Sequence, residues 1–284
     1  MSEYVKLKDG TRMPRLGMGT WYLGEKFNKR NQEIEAIRTG IDSGIRLIDT
    51  AEMYGEGAAE QLIGQVISDY NREDLFLVSK VYPHNAGKYR LRKSLNHSLQ
   101  RMKTDYLDLY LLHWRGNISL EETVECMEAM VAEGKIRHWG VSNFDKEDME
   151  ELMQVPNGKN CMVNQVLYHM GSRGIEYDLL PWQREHGIPI MAYCPLAQAG
   201  TLRGQLLKNA VLKEIAGQYG ISVMQLLLLF VLQQENVIAI PRSGNAKHVL
   251  ENRSVLDMRL SEEDLMRIDK EFPAPDRKVP LDIV

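Results

Sequence analysis

Gly44-Ile45-Arg46-Leu47-Ile48-Asp49-Thr50-Ala51-Glu52-Met53-Tyr54 is the stretch on which the fold turns. Leu47 and Ile48 predict a short buried strand, and a carboxylate follows at once. A charge inside an apolar run is costly without a partner, so Asp49 belongs at the strand's end, facing a cleft. Gly55 and Gly57 then break the chain before a helical pattern from Gly57 to Tyr70, with Leu62, Val66 and Ile67 on one side. Taken alone, the pair reads as a helix-capping Asp and a surface Tyr. The unit gains meaning because it recurs.

Leu75 to Lys80 is another apolar run, and it too ends in a charge. Tyr106 to Leu112 ends at His113-Trp114, and Ile136 to Val141 at Ser142-Asn143. Met162-Val163 leads to Asn164-Gln165, Ile188 to Ala192 to Tyr193-Cys194-Pro195, and Val237 to Ile240 to Pro241-Arg242-Ser243. The series opens at Leu16 to Trp21, whose Gly17 and Gly19 allow a backbone or ligand to come close. Before it, Val5 to Leu16 predicts a small hairpin turning at Asp9-Gly10.

Helical patterns lie between the strands. Asn31 caps one that runs through Ser43, with Ile34, Ile37 and Ile41 at helical spacing. Lys88 to Met102 is another. Ser119 with Glu122 forms a capping box for a helix reaching Gly134, and Asp145 caps a shorter one. Tyr193 to Arg242 holds a loop and two helical stretches around Gly220. Eight strands, each followed by helix, point to a closed (β/α)₈ TIM barrel, one domain over residues 1–284 with a short N-terminal β-hairpin. An open doubly wound sheet usually has fewer strands and a glycine-rich turn after the first. Gly55-Glu56-Gly57-Ala58-Ala59-Glu60 imitates that turn, yet Glu60 stands where the third glycine belongs and the unit is the second, so it reads as a loop opening a helix.

Composition narrows the function. Apolar residues at 44% and charged residues at 26% argue against disorder, and a net charge of -4 gives no case for binding nucleic acid or an anionic membrane. Cys126, Cys161 and Cys194 are odd in number and far apart, which fits a reducing compartment and excludes a cysteine zinc site; no metal is expected. Met1 to Gly10 has no apolar export segment, and the longest apolar run, Leu226 to Leu232, is too short to span a bilayer. A cytoplasmic, monomeric protein is the expectation.

In a barrel, all strand C-termini open on one face, so Asp49, Lys80 and His113 are expected to meet there with the loop residue Tyr54. A lone strand-end Lys is usually a solvated charge and a lone His a structural residue. Three at equivalent strand ends are harder to dismiss.

In their settings, Ile48-Asp49-Thr50-Ala51-Glu52-Met53-Tyr54, Leu77-Val78-Ser79-Lys80 and Leu111-Leu112-His113-Trp114, these residues resemble the catalytic tetrad of the aldo-keto reductases. The similarity runs from Gly17 to Asn252 and is greatest to bacterial members of the methylglyoxal reductase type. The resemblance implies a (β/α)₈ barrel that reduces small aldehydes and dicarbonyls with NADPH, hydride coming from nicotinamide and the proton from Tyr54. It implies that Lys80 lowers the Tyr54 pKa from its ordinary value of about 10, that Asp49 keeps Lys80 charged and oriented, and that His113 sets the angle of the substrate oxygen.

The same resemblance implies a cofactor set. Ser142, Asn143 and Gln165 correspond to residues that hydrogen-bond the nicotinamide amide, and Tyr193 to the aromatic stacked on its ring, with Thr20, Trp21 and Pro195 nearby. Leu196 to Thr201 would lie over the pyrophosphate. Cys194 stands where the family more often has Ser, and reads as a packing substitution. Ile240-Pro241-Arg242-Ser243 resembles the segment that grips the 2′-phosphate, Arg keeping the charge and adding a fork. His248 departs from the family's frequent Arg, and imidazole is mostly neutral at pH 7, so some NADH use is expected. Glu251 and Asn252 match residues near the adenine. Trp21, Tyr82, His113 and Trp114 are the expected substrate wall, Met53 being taken as core. Two rival functions are a slow cofactor-binding regulatory barrel, like the family-related β subunits of potassium channels, and an aldolase using Lys80 as a Schiff base, which needs a depressed amine pKa.

Overall fold

The computed structural model describes residues 2–197 and 201–284. A two-stranded antiparallel hairpin, β1 (Tyr4–Lys6) and β2 (Arg12–Pro14), opens the chain, with Gly10 at φ +93° in its turn. Eight parallel strands follow in chain order: β3 (Gly17–Gly19), β4 (Leu47–Asp49), β5 (Phe76–Val81), β6 (Leu107–Leu112), β7 (Ile136–Ser142), β8 (Asn164–Leu167), β9 (Ile190–Tyr193) and β10 (Val237–Ala239). Leu16 bridges Ala239 and Gly19 bridges Arg242, which closes the sheet into a barrel. A side chain at Gly19 would put its Cβ 2.8 Å from the Ile240 carbonyl oxygen. The closure therefore needs glycine there, and the close approach expected for this stretch is made by backbone.

Alternation sorts each strand into two rows. Leu47, Phe76, Val78, Leu109, Leu111, Val163, Met191, Ile238 and Ile240 fill the barrel's interior, and Val5, Leu7 and Met13 of the hairpin region plug the same cluster from below. The intervening residues, such as Ile48, Leu77, Tyr110 and Val166, pack outward against helices. Continuing the inward rows by two residues reaches Asp49 from Leu47, Lys80 from Val78, His113 from Leu111, Gln165 from Val163 and Tyr193 from Met191. The same parity that builds the core thus aims five polar side chains at one mouth.

The outer layer is α1 (Arg30–Asp42), α2 (Ala58–Ile67), α3 (Leu91–Met102), α4 (Leu120–Ala132), α5 (Lys146–Gln154), α6 (Leu179–Glu185), α7 (Thr201–Lys208), α8 (Ala210–Gln218), α9 (Val223–Gln233), α10 (Ala246–Ser254) and α11 (Glu262–Glu271). Several local expectations need correction. Asn31 lies inside α1, whose N-cap, Lys29, makes no side-chain cap. Ser119 caps α4, but Glu122 turns its carboxylate to the Lys88 amide at 2.9 Å, so the box is half formed. Asn164 and Gln165 belong to β8 rather than following it. Three helices, not two, fill the span after β9. Leu226 to Leu232 is buried within α9, and among the described residues no single helix is long and apolar enough to cross a bilayer.

The glycine-rich stretch after β4 is a loop, with Gly55, Glu56 and Gly57 all at positive φ before α2 begins at Ala58. Glu60, in the position where a third glycine was absent, is fully buried. It accepts hydrogen bonds from Ser79 Oγ and Arg101 Nε, each at 2.6 Å, and so ties β5 to α2 and α3.

Candidate active site

Asp49 ends β4, Lys80 is the second-last residue of β5, and His113 follows β6, its amide donating to the Val81 carbonyl at 3.0 Å. Tyr54 reaches them from the loop, where the left-handed run at residues 55–57 turns the chain back sharply. The Lys80 ammonium is fully buried and donates to Asp49 Oδ2 at 2.8 Å, to the Thr50 carbonyl at 2.8 Å and to the Tyr54 hydroxyl at 3.1 Å. An ammonium has three protons, and all three are used. The His113 ring meets the Tyr54 ring edge-on at 5.8 Å between centroids. Thr20 Oγ1 donates to the Asp49 carbonyl at 2.9 Å and fixes that strand end.

Burial dominates the electrostatics. It pushes the Tyr54 phenol well above its ordinary range, and the Asp49 carboxylate adds to the rise. Tyr54 therefore rests as the protonated phenol. The hydrogen bond from Lys80 meets the phenol oxygen, so it counts most when that oxygen becomes anionic. Burial also raises Asp49 and lowers Lys80, while their ion pair opposes both shifts. His113 is pushed down to about 2 by burial first and by the Lys80 charge second, so its imidazole is neutral at physiological pH. Its Nδ1 is buried with no protein partner among the described residues.

Asp49, Tyr54 and His113 floor a cavity of about 120 Å³ lined by Thr20, Trp21, Met53, Trp114, Ser142, Asn143, Gln165, Tyr193 and Arg242 among others. Tyr193 donates from its hydroxyl to Asn143 Oδ1 at 2.8 Å, and Asn143 Nδ2 donates to the His113 carbonyl at 3.1 Å. Asn143 and Cys194 hold positive φ values of 59° and 52°, a sparsely populated conformation for such residues that concentrates at functional sites. The Cys194 thiol is pushed up to about 11 by burial, consistent with an unreactive packing role.

Arg242 also lines a second, larger cavity of about 550 Å³, together with Leu196, Ser243, His248, Glu251 and Asn252. Arg242 Nε donates to the Trp21 carbonyl at 3.0 Å, and the guanidinium makes no ion pair among the described residues. The start of α10 opens here, capped by the Asn245 side chain, which accepts from the Lys247 amide at 2.9 Å. Two adjoining cavities, one walled by an aromatic ring and amides and the other by cations beside a helix start, suit a nicotinamide at one end and a phosphorylated adenosine at the other.

Tyr82 and Pro195 line neither cavity. Tyr82 instead stacks on His84 and meets Trp114 edge-on at 5.8 Å, so it braces the wall from behind. Its amide is held at 2.7 Å by the Glu52 carboxylate. Met53, assigned to the core from sequence, lines the small cavity. Lys29 and Arg203 line the large one and were not foreseen. They come from the edge of α1 and from α7, remote in sequence, and no local motif marks them. Of the loop expected over the pyrophosphate, Leu196 lines the large cavity, while residues 198–200 lie outside the described residues.

Residues 15–271 match the aldo/keto reductase family. The chain is 52% identical over 280 residues to methylglyoxal reductase YeaE of Escherichia coli, covering 99% of this chain and 98% of that one. It is 38% identical to the glyoxal reductase of Bacillus subtilis, covering 95% and 92%. A crystal structure of an aldo/keto reductase from Klebsiella pneumoniae in complex with NADP and acetate superposes with a TM-score of 0.97 at 51% identity, over 100% of both chains.

Proposed function

The chain belongs to the aldo/keto reductase family, and on that premise we propose that it reduces small aldehydes and dicarbonyls of the methylglyoxal kind with NADPH, Tyr54 giving the proton. It is an NADP-dependent oxidoreductase acting on carbonyl groups. The observation that carries the residue assignment is the buried chain of contacts from Asp49 through Lys80 to Tyr54.

When bound, NADPH supplies hydride to the carbonyl carbon. The alkoxide oxygen that develops needs a proton, and the Tyr54 hydroxyl supplies it. As the phenol loses its proton, Lys80 already faces the oxygen and stabilises the phenolate at no cost of reorganisation. Asp49 keeps Lys80 charged and aims it. His113, neutral, offers the substrate oxygen a hydrogen bond without a competing charge. Trp21, Met53 and Trp114 give a small apolar wall, which suits short carbonyl compounds. Ser142, Asn143 and Gln165 would hold the carboxamide and Tyr193 the ring face. Arg242, Ser243 and the start of α10 would hold the 2′-phosphate.

An aldolase is disfavoured by the same geometry. A Schiff base needs a free amine lone pair, and the Lys80 nitrogen donates to three partners, one of them a carboxylate. The test is substrate-dependent loss of NADPH absorbance over a panel of small aldehydes, ketones and dicarbonyls. Turnover with methylglyoxal is expected; borohydride trapping of a substrate on Lys80 without NADPH oxidation would replace the reductase by the aldolase.

Arg242 carries the cofactor preference. Losing a charge-assisted hydrogen bond costs about 1.5–3 kcal/mol, so Arg242→Ala should lower kcat/KM for NADPH by roughly 10- to 150-fold and leave NADH nearly unchanged. Equal losses with both cofactors would place the 2′-phosphate elsewhere. The whole of residues 1–284 would act as one domain and as a monomer. The three free cysteines favour a reducing, cytoplasmic setting.

A further inference from the structure

Gln165 is bound more tightly into the proton-donating chain than a cofactor contact requires. Asp49 gives Oδ2 to Lys80, and its other oxygen, Oδ1, accepts from Gln165 Nε2 at 2.8 Å. Both residues are buried, at 2% exposure each. A carboxylate only accepts, so the amide must present its nitrogen there, and the orientation that is ambiguous for most glutamines is settled by chemistry. The same nitrogen lies 3.2 Å from Met191 Sδ, which takes its remaining proton. Oε1 is left as the group Gln165 offers the cavity. The backbone is equally committed, its carbonyl accepting from Ser142 Oγ at 2.8 Å and from the Asn143 amide at 2.9 Å, so β7 fixes where the side chain starts.

We infer that Gln165 joins the nicotinamide site to the proton donor: its amide nitrogen holds the Asp49 oxygen that Lys80 leaves unpaired, while its Oε1 accepts from the cofactor's carboxamide. This rests on the reductase assignment above, and it makes Gln165 a positioning residue for Asp49 as well as a cofactor contact. The remaining titratable groups around Asp49 are Lys80 of β5, Tyr54 of the loop after β4, His113 after β6, Tyr193 and Cys194 at the end of β9, and Arg242 after β10, with Glu60 of α2 behind Ser79. Among the described residues, only Lys80 and Gln165 donate to the Asp49 carboxylate.

The sign follows from the hydrogen bond. Donation to the charged carboxylate favours it and lowers its pKa. Removing the donor raises that pKa, so as pH falls Asp49 is protonated earlier and stops supporting Lys80 earlier. Gln165→Met keeps volume and removes the donor. At saturating NADPH, the acid-side fall of kcat should begin about one pH unit higher than in the wild type, the size expected for one lost hydrogen bond to a buried charge. NADPH affinity, measured directly by fluorescence quenching, should also weaken. Arg242→Ala is the comparison: it should weaken NADPH binding and leave the kcat–pH midpoint in place.

A Gln165→Met profile superposing on the wild type, with only the dissociation constant changed, overturns the inference while leaving the reductase standing. Absence of carbonyl-dependent NADPH oxidation in the wild type overturns the reductase itself. Where Gln165→Met fails to fold, Gln165→Asn, whose shorter amide does not reach Asp49, gives the same readout: a raised acid-side midpoint supports the linkage and an unmoved one ends it.

Discussion

Tyr54→Phe is expected to lose about 10²- to 10⁴-fold in kcat, the range that a positioned proton donor supplies. The phenol oxygen is the only part removed, and the ring keeps its packing beside Trp21 and His113. NADPH affinity should therefore be close to wild type, because no residue assigned to the cofactor contacts the hydroxyl. Stability should change by no more than about 1 kcal/mol, the worth of one ordinary hydrogen bond, since Lys80 keeps Asp49 and the Thr50 carbonyl. The measurement is kcat with a saturating aldehyde beside the cofactor dissociation constant and the melting temperature. Turnover near the wild-type level would give the proton to another group, His113 being the nearest candidate. Its pKa of about 2 argues against it, for an imidazole that is never protonated near neutrality has no acidic proton to give at the right strength.

The barrel was legible because each strand carries its own evidence twice, once as an apolar run and once as a polar residue two positions beyond the last inward side chain. Parity alone puts Asp49, Lys80 and His113 in inward rows, and closing eight such strands brings them together. Tyr54 was legible only through its glycine-rich loop and the family resemblance, since no strand periodicity reaches it. What local pattern did not reveal depends on partners distant in sequence. Glu122 suits a capping box until the Lys88 amide competes for it. Tyr82 follows a charged strand end like the others, yet its loop is drawn down by Glu52 and its ring is placed behind Trp114. Gln165 matches a cofactor position, and nothing within ten residues of it announces a carboxylate from β4. Lys29, beside Gln32 and Glu33 of α1, and Arg203 of α7 enter the large cavity from segments that carry no local signature of a site.

Lys80→Met is expected to damage turnover as severely as Tyr54→Phe and, unlike it, to unsettle the fold. The side chain it replaces is fully buried, and its charge is the only one paired with Asp49 among the described residues. Breaking a buried pair by removing one partner costs about 3–5 kcal/mol, because the other charge is left in the interior. For a chain of this size that is on the order of a 10 °C fall in melting temperature. The fall should depend on pH. Without Lys80, burial drives the Asp49 pKa far above its unfolded value, and a group so raised contributes its stability below the unfolded pKa and loses it as pH rises through the folded one. The deficit is thus smallest in acid and grows toward neutral and alkaline pH. Adding Asp49→Asn removes the stranded charge and leaves an amide oxygen for Gln165 to meet, so the double variant should recover most of the lost stability. Activity should stay low in both, because no cation then faces the Tyr54 oxygen as it loses its proton. Thermal melts of the two singles and the double, each at acid and neutral pH, give the coupling directly. If the losses simply add, Asp49 and Lys80 do not act as a pair. If the double variant regains turnover with its stability, the ammonium serves the fold and not the proton transfer.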